Sequence, residues 1–288
     1  MDVCPNGEVG DWRLSDLDFL ATFALPQRRP DKLATQNPFA QDARIHFDEP
    51  SHTYTFDGQR VGRSVTGLLH QFSNEFDAPA ALEAMKSSPE WEIKRAALEE
   101  QGLGTCDNDF LSRWEQNGRV QRSRGTLMHF HAECMVNSIT VEEPHSPEFL
   151  QAQQIFQKLL NMGLTPYRAE LSMYNQRLDC AGQADLIMED RAGRKVIVDW
   201  KRVRKLQFEN KYNQLRYPFS HLPDCNGILY SMQLSTYAFF LEDGYGMPVA
   251  DEMYLAVCHP ENPEPALIRV RRMRAEIEAL LEYESPAA

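Results

Sequence analysis

The 288-residue chain has no two cysteines close enough for a C-x-x-C pair. Its six, Cys4, Cys106, Cys134, Cys180, Cys225 and Cys258, are scattered, and none combines with histidine at zinc-ligand spacing. That excludes a zinc site and a four-cysteine iron–sulfur cluster. Scattered unpaired cysteines fit a reducing, intracellular compartment, cytoplasm or nucleus. No apolar run approaches the roughly 18 residues of a membrane-spanning helix, so no membrane partner is expected. A signal-peptide core is missing, and Asp2, Glu8, Asp11, Asp16 and Asp18 oppose a basic presequence. Positive charge is scarce: 30 Lys and Arg stand against 42 Asp and Glu, for a formal charge of −12. Such a balance argues against broad duplex binding over the whole surface. It leaves room for local basic patches. One is Lys201–Arg216, with six basic residues and one acidic, and another is Arg119, Arg122 and Arg124. Either cluster also reads as ordinary solvated surface.

What is present begins with a normal core. Hydrophobic residues make up 42% of the chain, and the length suits one large domain or two small ones. The most informative stretch is Asp185–Lys201. Two apolar runs, Ala184–Met188 and Val196–Trp200, flank a polar Asp190-Arg191-Ala192-Gly193 turn. This predicts a β-hairpin. Side chains alternate faces along a strand, so Asp199 and Lys201 share one face and Val198 and Trp200 the other. The Val-Ile-Val run predicts a central strand, with Trp200 in the core. Across the hairpin Asp185 falls beside Asp199.

Two carboxylates and a lysine on a buried face are costly unless paired or bound to a metal. Hard oxygen ligands suit Mg²⁺, which leaves positions for water and phosphate. A neighbouring lysine orients that water or offsets developing negative charge. The same residues also read as a structural salt bridge of Asp199 with Lys201 or Asp185.

Four motifs decide the weighting. They are Gly125-Thr126-Leu127-Met128-His129, Ala181-Gly182-Gln183-Ala184-Asp185, Val198-Asp199-Trp200-Lys201 and Gln233-Leu234-Ser235-Thr236-Tyr237. In this order the sequence resembles the PD-(D/E)XK nuclease superfamily, in its RecB-type exonuclease branch, which includes the mitochondrial genome maintenance exonucleases. Ala184 stands where the strict pattern has proline. The resemblance implies an α/β fold: a restriction-endonuclease-like core with a central mixed β-sheet flanked by helices. It implies a Mg²⁺- or Mn²⁺-dependent nuclease on DNA, an exonuclease preferring single strands or ends. By that resemblance Asp185, Asp199, Lys201, Gln233 and Tyr237 are catalytic. His129, Asp185 and Asp199 hold the metal, with Glu170 as a further ligand candidate on the preceding strand. Arg122, Arg124, Arg202, Arg204, Lys205, Lys211, Tyr212 and Arg216 are the expected nucleic-acid-binding residues. Two other readings stay open: an inactive binding or structural protein on the same fold, and a restriction-type endonuclease.

Along the chain, residues 1–43 read as an extension with a short helix at 14–23 and a Pro-containing linker. Residues 44–124 read as a strand pair about Asp57-Gly58 followed by a mainly helical block. In that block Ser64 or Thr66 caps a short helix, and helices follow at 78–85, 90–101 and 108–116. Residues 125–288 read as the nuclease core. Helices are expected there at 126–137, 147–162, 228–241 and 274–283, with strands at 168–174, 180–188, 196–200, 253–258 and 267–270. The long polar segment after Lys201 is read as functional.

Overall fold

The computed structural model describes residues 19–21, 23–24, 30–49, 51–142 and 145–284. The helix expected at 14–23 falls largely outside them. The chain divides into two compact units. One comprises residues 1–26 and 75–127, the other residues 27–74 and 128–288.

The second unit holds both sheets. Strands β1 (Ile45–Asp48), β2 (Thr53–Phe56) and β3 (Gln59–Arg60) form an antiparallel meander. The expected strand pair is thus three strands, and the Asp57-Gly58 turn joins the second to the third. Both turn residues have positive φ, 50° and 76°, as a tight two-residue hairpin demands.

The larger sheet contains β4 (Arg63–Ser64), β5 (Thr165–Asn175), β6 (Cys180–Glu189), β7 (Lys195–Lys201), β8 (Glu252–Val257) and β9 (Ala266–Arg271). Its order is β4-β6-β7-β8-β9, with β5 along the other edge of β6. The β5–β6, β6–β7 and β8–β9 pairs are antiparallel, while β4–β6 and β7–β8 are parallel. This is the mixed central sheet flanked by helices that the sequence implies. Strand β7 lies in the interior, between β6 and β8, as its unbroken apolar run predicts.

The alternation along β7 separates two cores. Ile197 joins a core with α1 (Val65–His70), α2 (Asn226–Tyr245) and α3 (Arg274–Glu284). Val196, Val198 and Trp200 join another with Ala152, Ile155 and Leu159 of α4 (Pro147–Asn161) and with Met128, Ala132 and Val136. Helix α1 is capped by Ser64, whose Oγ accepts the Gly67 N–H at 3.0 Å. Ser146 does the same for α4, accepting the Phe149 N–H at 3.2 Å.

The first unit is helical. It has α5 (Ala78–Lys86), α6 (Trp91–Glu100) and the greater part of α7 (Asp107–Val136), packed about Leu82, Met85, Leu98 and Phe110. The two helices expected at 108–116 and 126–137 are one continuous helix. Residues 117–125, between them, contain Gly118 and Gly125 and a single apolar side chain, Val120. An interior glycine costs a helix only about 1 kcal/mol, and no proline interrupts the run. No helix among the described residues is long and apolar enough to cross a membrane.

Candidate active site

The hairpin register sets the site. Leu186 pairs with Val198 and Ile187 with Ile197, so the next position on each strand places Asp185 across from Asp199. On the other edge Ala169 pairs with Leu186 and Leu171 with Ala184, which puts Glu170 across from Asp185. Three acidic residues of successive strands therefore form one row. Residues directly opposite in adjacent strands share a face.

His129 on α7 completes the cluster. Ligand atoms of His129, Glu170 and Asp185 all lie within 4.8 Å of one another. His129 Nδ1 is 3.5 Å from Asp185 Oδ2. Glu170 reaches this position with φ +47°, in the left-handed region. A non-glycine residue held there costs of order 1–3 kcal/mol and persists only where its surroundings impose it. Asp199 is not in that tight group of three. It is 1% exposed, and its Oδ2 lies 2.8 Å from Lys201 Nζ. That oxygen receives no well-directed hydrogen bond among the described residues. It is charge-compensated but directionally unsatisfied.

The two aspartates sit in different electrostatic states. Burial pushes the Asp185 pKa upward, but the His129 imidazole, Lys201 and the Trp200 N–H outweigh it and bring it below the usual range. The Trp200 N–H donates to Asp185 Oδ2 at 2.7 Å. Burial dominates at Asp199, and with the nearby charge of Asp185 it raises that carboxyl to about 6, against the pull of Lys201. Burial lowers the His129 pKa, but Asp185 more than compensates, and the imidazole ends above its ordinary value.

Lys201 is held by α2. Its Nζ donates to Gln233 Oε1 at 3.1 Å, and Gln233 Nε2 donates to Tyr237 Oη at 3.0 Å. Burial keeps the Tyr237 phenol far above its ordinary pKa, so it stays neutral. The ring of Tyr237 lies against Gly182. A Cβ there would stand 2.6 Å from Tyr237 Cε1 and 2.9 Å from Val65 Cγ2. The glycine of the Ala-Gly-Gln-Ala-Asp stretch is thus the surface on which the tyrosine packs.

Two neighbours lie outside the expected site residues. Of the two cap candidates Ser64 is the cap, and the Thr66 hydroxyl meets Gln233 Nε2 at 3.5 Å. Tyr230 places its ring 4.3 Å from Lys201 Nζ. Its signal was legible: Tyr230, Gln233 and Tyr237 stand at i, i+3 and i+7, one helix face.

The basic residues divide. Arg202, expected at the nucleic-acid surface, is turned inward. Its Nε donates to Glu148 Oε1 at 2.7 Å, with side chains 5% and 4% exposed. The strand ends at Lys201, and the next side chain is taken up by the first turn of α4. By contrast Lys205, Lys211 and Arg216 are exposed. Arg204 is exposed too, beside Glu261 at 3.2 Å. Tyr212 is 93% and Tyr217 75% exposed. In the first unit Arg122 is exposed, and the Arg124 guanidinium stands 4.5 Å from the Phe19 ring.

The profile of the PD-(D/E)XK nuclease superfamily matches residues 108–285, more than half of the chain. No curated protein matches the sequence. Among solved structures, SSO0001 aligns with 16% identity and a TM-score of 0.25, over 48% of this chain and 56% of its own. A candidate exonuclease from Eubacterium rectale aligns with 14% identity and a TM-score of 0.34, over 56% of this chain and 63% of its own. The chain thus spans less than two thirds of either structure's length.

Proposed function

The chain belongs to the PD-(D/E)XK nuclease superfamily, and we propose that it is a Mg²⁺- or Mn²⁺-dependent deoxyribonuclease acting on single strands or DNA ends. The observation that carries this reading is the row Glu170–Asp185–Asp199, with His129 against Asp185 and Lys201 against Asp199. A structural salt bridge needs one carboxylate per cation. Here three carboxylates crowd an imidazole and one ammonium, and a buried oxygen of Asp199 is left without a directed donor. Such a donor set fits a hard divalent cation.

His129, Glu170 and Asp185 would hold the ion, with Asp199 beside them. When bound, the ion supplies Lewis-acid polarisation of the phosphate and an activated water. The residues of the chain do the positioning. Lys201 presents its ammonium beside the carboxylates, where it meets a non-bridging phosphate oxygen or the attacking water. Gln233 fixes the direction of that ammonium, and the neutral Tyr237 hydroxyl fixes Gln233.

The preference for single strands is supported by the segment after Lys201. Lys205, Lys211 and Arg216 provide phosphate contacts, and Tyr212 offers an exposed ring on which a base can stack. A formal charge of −12 is compatible with this. Charges on distant faces are screened beyond about 8–10 Å at physiological salt.

The test is incubation of end-labelled single-stranded, end-labelled double-stranded and closed circular DNA with Mg²⁺, Mn²⁺ or EDTA. Metal-dependent loss of label from linear single strands, with circles spared, is expected. Cleavage of closed circles would identify an endonuclease. No cleavage of any substrate with either ion would identify a binding or structural protein.

A further inference from the structure

We propose that Tyr230 is a positioning residue for Lys201, acting through the face of its aromatic ring. This rests on the reading of Lys201 as the group that meets the scissile phosphate. Asp199, Gln233 and Tyr230 all stand against the Lys201 ammonium. Asp199 Oδ2 lies at 2.8 Å, Gln233 Oε1 accepts at 3.1 Å, and the Tyr230 ring centroid is 4.3 Å away.

The lysine side chain is a point charge on a flexible four-carbon stem. Asp199 and Gln233 hold the head of that stem by polar contacts. The Tyr230 ring adds a contact on a further side. Its quadrupole presents a negative face, which attracts a cation without neutralising it and without accepting its proton. That distinction matters at this site. Another carboxylate would hold the lysine as firmly, but it would add negative charge where an anionic phosphodiester must enter. An aromatic face supplies attraction with no net charge.

The placement is rigid. Tyr230 stands one turn before Gln233 and two before Tyr237 on α2, and its ring is partly buried against the core of the second unit. One helix face thus carries the ring, the amide that accepts from Lys201 and the phenol that accepts from the amide. The ring face is what acts on Lys201, and phenylalanine presents the same face. Tyr230→Phe keeps the contact and Tyr230→Leu removes it.

The experiment measures kcat and KM on an end-labelled single-stranded oligonucleotide with Mg²⁺. The proteins are the parent, Tyr230→Phe, Tyr230→Leu, Tyr230→Met, Lys201→Ala and Lys201→Ala/Tyr230→Leu, each with its thermal midpoint. Loss of a partly desolvated cation–π contact corresponds to about 5- to 30-fold. That loss should fall on kcat in the Leu and Met variants, with KM within about twofold of the parent. The Phe variant should track the parent. Tyr230→Leu should cost nothing further in the Lys201→Ala background, since a residue acting through Lys201 cannot act without it. A second readout needs neither metal nor turnover. In EDTA the Lys201 side-chain methylene resonances should be shifted upfield by the ring, in the parent and Tyr230→Phe but not in Tyr230→Leu. A Leu variant as active as the parent, an equal loss in both backgrounds, or no upfield shift would overturn the proposal alone. A parent inert with both Mg²⁺ and Mn²⁺ would overturn the nuclease reading, and this proposal with it.

Discussion

Asp185 reaches across the β6–β7 hairpin and accepts the Trp200 main-chain N–H through Oδ2 at 2.7 Å. The same oxygen lies 3.5 Å from His129 Nδ1. A backbone donor and an imidazole thus hold Asp185 ionised, while Asp199, across the hairpin, is raised by burial. Two carboxyl groups in adjacent strands are given different protonation behaviour by their surroundings.

Asp199→Asn tests that difference. Nuclease activity should fall near background, and the thermal midpoint of the metal-free protein should stay or rise. A carboxyl raised to about 6 contributes stability that is full below its unfolded pKa of about 4 and is lost as pH rises through the folded value. Asparagine has no such loss. In EDTA, the variant should therefore gain on the parent between about pH 4 and pH 7, by up to roughly 3 kcal/mol for a shift of about two units. Urea denaturation at both ends of that window measures the gap. A gap that narrows as pH rises would show that the Lys201 ion pair, rather than burial, governs Asp199.

Glu170 carries a separable cost. Glu170→Gly removes the carboxylate and relaxes a φ of +47°. Stability of the metal-free protein should rise by about 1 kcal/mol. Affinity for Mn²⁺, read by calorimetry, should fall at least tenfold, the lower bound even for groups that only support a metal ligand. Unchanged Mn²⁺ affinity would remove Glu170 from the ligand set.

The Glu148–Arg202 pair is a stability element. Glu148→Ala strips the carboxylate from a guanidinium 5% exposed. Breaking a buried pair from one side costs about 3–5 kcal/mol. Adding Arg202→Met should recover most of it, because no charge then remains to be compensated. A double variant no more stable than Glu148→Ala would mean that Glu148 matters for packing alone. Chemical denaturation decides between them.

Arg204 and Lys205 leave the catalytic strand exposed. Replacing both with alanine should weaken single-strand binding and flatten its salt dependence by about 1.4 in log–log slope, at about 0.7 per phosphate. Turnover at saturating substrate should change much less. Arg204 also faces Glu261 at 3.2 Å, so a change of slope nearer 0.7 would assign the phosphate contact to Lys205. An unchanged slope would place the strand elsewhere.

Much of the site was legible in the sequence because β-structure is written with a period of two. Alternation alone put Asp199 and Lys201 on one face and Val198 and Trp200 on the other. The turn at Asp190–Gly193 brought Asp185 opposite Asp199, and helical spacing joined Gln233 to Tyr237. These are local rules of backbone geometry, and they hold whatever the rest of the chain does. The tertiary structure decided what depends on distant partners. It made one helix of Asp107–Val136, brought Glu170 beside Asp185 and His129, and turned Arg202 inward to Glu148. It raised one aspartate and lowered the other, and it laid Tyr230 against Lys201. Burial and electrostatics depend on what packs from elsewhere in the chain. Those neighbours come from elements tens of residues away: spacing puts Tyr230, Gln233 and Tyr237 on one helix face, but no local pattern says that Lys201 packs on it.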